Sequence, residues 1–184
     1  MKKRGERPAF DASWTLFLDR DGVINEKIDH DYVRSWERFT FLPGVLTALQ
    51  ELNGIFGRIV VTTNQRGIGR GLFTEADLQD IHRRMLEEVV TAGGRIDACY
   101  FCPHLQDDPN CNCRKPLPGM ALQAKAQFPE IDFSKSVLVG DSVSDIQFGK
   151  NLGMHTVHIT KSDVTMSDEK FASLFNWCSS LIQP

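Results

Sequence analysis

Apolar and polar positions along this chain follow two periods. Short apolar runs alternate with longer stretches in which apolar residues recur every three or four positions. Trp14-Thr15-Leu16-Phe17-Leu18 reads as a buried strand ending at Asp19. Arg58-Ile59-Val60-Val61-Thr62, rich in β-branched residues, predicts a second strand. Ala98–Phe101, Ser136–Val139 and Thr156–Ile159 predict three more. Between them, Val45, Leu46, Leu49 and Leu52 mark a helix over 44–53. Leu78, Ile81, Met85 and Val89 mark another, with Thr74 as its N-cap and Gly93-Gly94 as its stop. Further helices are predicted over 120–128 and 143–152. A last helix is predicted from Glu169 to Ile182, striped by Phe171, Leu174, Phe175, Cys178, Leu181 and Ile182. Its apolar face could cover the sheet or a partner. The stretch 103–118, rich in Pro, Asp, Asn and Cys, is loop.

Strands alternating with helices predict an α/β fold, a Rossmann-like three-layer sandwich with a mainly parallel sheet. In such sheets ligands bind beyond the carboxyl ends of the strands. The residues directly after the strands are Asp19 and Asp21, Thr63 and Asn64, Cys102 and His104, and Asp141. Three carboxylates, a hydroxyl and a metal-ligand cluster are thus delivered to one edge. With no repeat, low-complexity tract or linker, the 184 residues are expected to form one domain over 1–184.

Composition narrows the function classes. A hydrophobic content of 41% with 24% charged residues supports a folded core rather than disorder. The net charge of −3 offers no general attraction to nucleic acid. No apolar run approaches the roughly 20 residues of a membrane span. The basic start is followed by Ala9-Phe10-Asp11, so a secretory leader is not expected. Five cysteines, an odd number with three close together at 102, 111 and 113, suit a metal knot in a reducing, cytoplasmic protein.

Cys102, His104, Cys111 and Cys113 supply three thiolates and an imidazole within twelve residues. Four such ligands would close a tetrahedral Zn²⁺ site with no open position, so the zinc is expected to be structural. Cys99 is expected to be core. Asp19-Arg20-Asp21-Gly22 could converge two carboxylates on one metal or reacting group, although alone it also reads as a turn. Gly140-Asp141-Ser142-Val143-Ser144-Asp145 adds two more acidic groups at a helix start. Acidic residues gathered at neighbouring strand ends call for a cation, and Mg²⁺ suits carboxylate and phosphate oxygens. Thr63 and the backbone around it can hold a phosphate oxygen. Arg114-Lys115 adds paired cations directly after Cys113, where a zinc-fixed loop would aim them.

In this order, Asp19/Asp21, Thr63, Lys115 and Asp141/Asp145 resemble the haloacid dehalogenase superfamily of phosphohydrolases over roughly residues 14–160. Three segments look like the heptose 1,7-bisphosphate 7-phosphatase family within it. They are Asp19–Asn25, Thr63-Asn64-Gln65 with the Gly67-Ile68-Gly69-Arg70-Gly71 run, and Cys102-Pro103-His104 through Cys113-Arg114-Lys115-Pro116. The resemblance implies removal of the 7-phosphate in nucleotide-heptose and envelope polysaccharide precursor synthesis. Asp19 would be the nucleophile, Asp21 the acid and base, and Thr63 with Lys115 the clamp on the transferring oxygens. Mg²⁺ would sit on the Asp19 carboxylate, the Asp21 carbonyl and Asp141, with Ser142 at its margin and Asp145 in support.

The family's D-H-G-Y-V sugar segment reads Asp29-His30-Asp31-Tyr32-Val33 here, with Asp31 in place of Gly, and stands further from Asp21. Arg66 stands where the family often has Ser. Asn64, Gln65, Arg66 and Arg114 are also expected at the substrate, the two arginines on the phosphate that is not cleaved. The stretch from 22 to 62 leaves room for only a minimal cap, with the zinc loop 102–113 as a small lid. A monomer acting on a small sugar phosphate is expected. A histidinol-phosphate phosphatase is the alternative with the same chemistry, and a non-catalytic zinc-stabilised binding module is the alternative of another class. His82, His155 and His158 show no partner in the sequence, and Trp14, Trp36 and Trp177 are expected to pack.

Overall fold

The computed structural model describes residues 7–162 and 166–182. The basic start at 1–6, expected not to be a leader, lies outside the described residues. The elements are β1 (Thr15–Leu18), α1 (Val45–Asn53), β2 (Arg58–Asn64), α2 (Arg66–Gly69), α3 (Glu75–Thr91) and β3 (Ala98–Cys102). They continue with α4 (Gly119–Gln127), β4 (Ser136–Gly140), α5 (Val143–Asn151), β5 (His155–Ile159), β6 (Glu169–Phe171) and α6 (Leu174–Ile182). The six strands form one parallel sheet in the order β3-β2-β1-β4-β5-β6.

Strand side chains alternate between two cores, as the period of two requires. Leu16, Leu18, Ile59, Val61, Val137 and Val139 face one core with α1, α3 and α6. Phe17, Val60 and Leu138 face the other with Ala121 and Ala124 of α4 and Phe148 of α5. This is the expected three-layer α/β sandwich. Thr74 caps α3 with a reciprocal capping box to Asp77, which satisfies two otherwise orphan N–H groups.

Two expectations are corrected. The chain has a sixth strand, and residues 169–171 belong to it rather than to a helix. Edge pairing there uses the backbone of Glu169 opposite Val157, and Asp168 accepts from the Thr156 N–H at 2.9 Å. The last helix therefore begins only at Leu174, where the Ser173 hydroxyl accepts from the Asn176 N–H. Its Leu174, Trp177 and Cys178 are buried against the sheet-side core. The four-residue α2 was also not foreseen, being too short to show a period.

The order of the sheet sets the position of the site. The chain steps from β1 outward through β2 and β3, then returns to the other side of β1 with β4. A crevice opens at such a reversal, outside the carboxyl ends of β1 and β4. Among the described residues no helix is long and apolar enough to cross a membrane.

Candidate active site

Asp19 and Asp141 are the first residues beyond β1 and β4. The Asp19 N–H donates to the Val139 carbonyl at 2.9 Å, so the sheet ladder itself holds the two loops side by side. Gly22 makes this approach possible. Its φ is +90°, and a Cβ there would run into the Asp141 carboxylate. Carboxylate oxygens of Asp19, Asp141 and Asp145 lie within 4.8 Å of one another.

Lys115 reaches this cluster from the loop after β3. Its Nζ donates to Asp19 Oδ1 at 2.7 Å and to the Thr62 carbonyl at 2.6 Å, and pairs with Asp145 Oδ1 at 2.6 Å. Burial opposes its charge, but the Asp145 and Asp19 carboxylates outweigh that and hold the ammonium well above its ordinary range. Burial pushes the Asp19 carboxyl up to about 7, against the pull of Lys115 and with the help of Asp145 and Asp141. Burial likewise raises Asp141, which pairs with Lys27 Nζ at 2.7 Å. Asp19 and Asp141, in a cluster with this surplus of negative charge, are fitting donors for a hard divalent cation. Asp145 is turned away from the role of direct ligand. Its Oδ1 serves Lys115, and its Oδ2 accepts from the Ser142 N–H at 3.0 Å and hydroxyl at 2.6 Å in the capping box that opens α5.

Asp21 is held from several sides. Arg20 donates from Nη2 to both its oxygens, at 2.9 and 3.1 Å, and from Nε to Oδ1 at 3.2 Å. Asn25 Nδ2 donates to Oδ1 at 2.9 Å, and Gln65 Nε2 to Oδ2 at 2.8 Å. Burial would raise this carboxyl, but Arg20, Asn25 and Gln65 together hold it below the ordinary range. Gln65 Nε2 also donates to the Thr63 hydroxyl oxygen at 2.9 Å, which leaves the Thr63 O–H to point a donor elsewhere. Gln65, expected at the substrate, is instead wholly buried and does not line the cavity. It ties Asp21 to Thr63.

The cavity above these groups measures about 530 Å³. Asp19, Asp21, Thr63, Asn64, Lys115, Asp141 and Ser142 line it, as do His30, Asp31, Tyr32, Arg66 and Arg114. Asp29 does not; it is exposed to one side. Asp31 is engaged by Arg34 and Arg38, which hold its carboxyl at about 2. Tyr32 accepts on its hydroxyl from Arg66 Nε at 3.1 Å, and Arg66 Nη1 donates to Gln106 in the cysteine loop at 3.3 Å. The strands' pattern did not single out Lys27, Arg70 or Ser144, which also line the cavity.

Cys102, His104, Cys111 and Cys113 converge, with ligand atoms mutually within 4.8 Å. Cys102 to Cys111 is 3.5 Å, Cys111 to Cys113 3.8 Å, and His104 Nδ1 lies 3.3 Å from Cys113. A tetrahedral zinc thiolate site with Zn–S near 2.3 Å has S···S edges of about 3.8 Å, so these residues could hold zinc. The Arg114 N–H donates to Cys111 Sγ at 3.3 Å, and Asn64 grips the next residue by both backbone groups, Lys115 N–H at 3.0 Å and carbonyl at 3.3 Å. The cysteine loop and the end of β2 thereby clamp the backbone of Lys115. Cys99 packs at the core edge, where burial raises its thiol to about 12.

The three histidines without an apparent partner have one. His82 Nε2 lies 3.3 Å from Arg20 Nη1, His155 Nε2 lies 2.8 Å from Glu169 Oε1, and His158 Nε2 lies 3.2 Å from the Asp141 carbonyl. Each partner is distant in sequence, so neither period nor spacing could show it. Arg20 and Asn25, both fully buried, were likewise missed; the only sign was a charged residue between two aspartates.

Comparison with known proteins agrees with this geometry. The profile of the family described as polynucleotide kinase 3 phosphatase matches residues 8–177. D-glycero-alpha-D-manno-heptose-1,7-bisphosphate 7-phosphatase of Mycobacterium tuberculosis is 43% identical over 139 residues, covering 76% of this chain and 73% of that protein. D-glycero-beta-D-manno-heptose-1,7-bisphosphate 7-phosphatase of Yersinia pestis is 39% identical over 165 residues, covering 85% and 86%. The crystal structure of D,D-heptose 1,7-bisphosphate phosphatase from B. bronchiseptica, complexed with magnesium and phosphate, superposes with a TM-score of 0.81 at 32% identity, over 92% of this chain and 98% of that one. With carboxylates, clamp and lysine gathered at the sheet's switch point, the chain belongs to the heptose-1,7-bisphosphate 7-phosphatase family of the haloacid dehalogenase superfamily and is a phosphoric monoester hydrolase.

Proposed function

We propose that this protein removes the 7-phosphate of D-glycero-D-manno-heptose 1,7-bisphosphate through an aspartyl-phosphate on Asp19. The observation that carries the reading is the convergence of Lys115 Nζ on Asp19 and Asp145 beside Asp21, Thr63 and Asp141, at one end of the sheet. Asp19 attacks phosphorus, and the bond from phosphorus to the sugar oxygen breaks. Asp21 is ionised in the free site, so it must take up a proton as the phosphate dianion binds beside it, and it then gives that proton to the leaving oxygen. Asp21 then takes a proton from water, whose oxygen bonds to phosphorus as the Asp19–phosphorus bond breaks. The Thr63 hydroxyl and Lys115 stabilise the charge on the transferring oxygens. Mg²⁺, held by the Asp19 carboxylate, the Asp21 carbonyl and Asp141 with Ser142 at the margin, would neutralise charge so that one anion can approach another. Cys102, His104, Cys111 and Cys113 would hold a structural Zn²⁺, which would fix the loop that presents Arg114 and Lys115. The chain works as one cytoplasmic, monomeric phosphatase unit over 1–184, the zinc loop being its small lid.

The rim favours a bisphosphate over a histidinol phosphate. Lys27 is paired with Asp141, but Arg66, Arg70 and Arg114 also line the cavity, and such cations attract a second phosphate and repel an amine. Arg66 and Arg114 are assigned to the phosphate that stays. The test is phosphate release with Mg²⁺ from heptose bisphosphate against histidinol phosphate, with the product's remaining phosphate located by NMR. A higher kcat/KM for the bisphosphate and a heptose 1-phosphate product are expected; preference for histidinol phosphate overturns the reading. Asp19→Asn should abolish turnover with an unchanged circular dichroism spectrum, and normal turnover would remove the nucleophile.

A further inference from the structure

His82 takes no part in the reaction as described, yet it is joined to the site. It lies on the face of α3 that carries Leu78, Ile81, Met85 and Val89, all buried. A polar ring in such a face costs free energy unless it is hydrogen-bonded. Its partner is Arg20, a guanidinium with no exposed surface.

The geometry of Arg20 shows what the contact does. Its Nε and Nη2 edge lies along the Asp21 carboxylate, and its remaining corner, Nη1, points to His82 Nε2 at 3.3 Å. A guanidinium is planar and rigid, so a partner at the third corner fixes the plane and with it the carboxylate on the opposite edge. Nε2 must accept here, because every guanidinium nitrogen is a donor. Burial and the adjacent Arg20 charge hold the ring neutral, with its imidazole pushed down to about 3. Asn25 and Gln65 fix Asp21 from the other sides, but both stand at the site itself. His82 is the contact that reaches Asp21 from a helix.

We infer that His82 is a positioning residue for the leaving-group proton: through Arg20 it sets the orientation of the Asp21 carboxyl that faces the sugar oxygen. This rests on the acid role of Asp21 proposed above. Displacement of a catalytic group by about 1 Å can cost roughly 100-fold in rate. The loss should depend on the leaving group. A sugar alkoxide must be protonated as it departs, whereas 4-nitrophenolate leaves as a stabilised anion and needs no acid.

The experiment measures kcat/KM, with Mg²⁺, for heptose 1,7-bisphosphate and for 4-nitrophenyl phosphate in the full chain. Asp21→Asn sets the signature of a lost acid, a fall much larger for the sugar phosphate than for the aryl ester. His82→Leu is expected to reproduce that bias in smaller measure, falling about tenfold on the sugar phosphate and less than about twofold on the aryl ester. His82→Gln, whose amide oxygen stands near the place of Nε2, should restore the sugar-phosphate rate to within about twofold. Equal losses on both substrates, no loss on either, or failure of the glutamine to rescue would each overturn the inference. Should His82→Leu not fold, His82→Asn, whose amide falls short of Arg20, replaces it with the same expected bias. If Asp21→Asn itself shows no bias, the acid role falls and takes this inference with it. If Asp21→Asn shows the bias and His82→Leu does not, only the role of His82 is lost.

Discussion

Lys115 has three N–H groups, and each faces a different oxygen: Asp19, Asp145 and the Thr62 carbonyl. One ammonium thus ties two carboxylates of the cluster to the strand beneath them. The motif residues could be read from the sequence, because their types and spacing carry the chemistry. Their partners could not, because Arg20 to His82 and Lys115 to Asp145 are contacts between distant stretches. His82 gives a residue-scale prediction for stability. Its ordinary value is 6.5 and burial first, then Arg20, lowers it to about 3 in the fold. Between those values the unfolded chain binds a proton that the folded chain does not. The contribution to stability is therefore complete above about pH 6.5 and falls on acidification, by up to about 1.4 kcal/mol per pH unit. His82→Gln lacks this loss. In urea titrations its stability relative to wild type should rise by about 1 kcal/mol per unit below pH 6. A constant difference would show that His82 is not held neutral.

Among the elements, the cysteine loop has the least regular structure and the most exacting task. Its candidate ligand set was legible from spacing alone, since only four residues within a short segment needed to meet, and they do converge. Its backbone, by contrast, is clamped by Asn64 from β2, which no local pattern announces. Stripping the metal with a chelator, or Cys113→Ser, should reduce bound zinc and lower kcat strongly. The circular dichroism of the α/β core should change little, because the two large apolar cores contain no residue of the loop, which is packed only through the small cluster of Cys102, Cys113 and Met120. Metal analysis beside phosphate release, with the chelator removed and Mg²⁺ restored, checks this; full activity in zinc-free, Mg²⁺-supplied protein would refute the clamping role. The 169–182 stretch shows the opposite case. Its apolar stripe predicts one helix, and the pairing of β6 with β5 overrides the first part of it. Tertiary hydrogen bonding outweighs local propensity where a sheet edge is open.

Across the whole molecule, α6 covers the core shared by the sheet and α1. Trp177 has no exposed surface, and Phe10 and Phe56 pack against its ring at 6.0 and 6.1 Å between centroids. Of the C-terminal stripe, Leu174 and Cys178 are buried in this chain's own core and Phe171 and Leu181 pack against it, whereas Phe175 and Ile182 are exposed. Trp177→Ala should cost about 3–5 kcal/mol, read from denaturant unfolding, because the surrounding rings cannot collapse into the void. A loss below about 1 kcal/mol would mean that α6 is dispensable to the fold.

The sequence by itself determined the class of fold and the chemistry: its two periods specify strands and helices, and Asp19, Asp21, Thr63, Lys115 and Asp141 are the residue types that phosphoryl transfer needs. The tertiary structure decided which of them meet, and on what. Only strand order brings β1 and β4 together so that Asp19 and Asp141 face each other across Gly22. Only the packing of α3 brings His82 to Arg20, and only the burial of Gln65 turns an expected substrate contact into a brace between Asp21 and Thr63. Periodicity is local and survives in a one-dimensional reading, whereas burial and hydrogen-bond partnership depend on what folds over each residue from far along the chain.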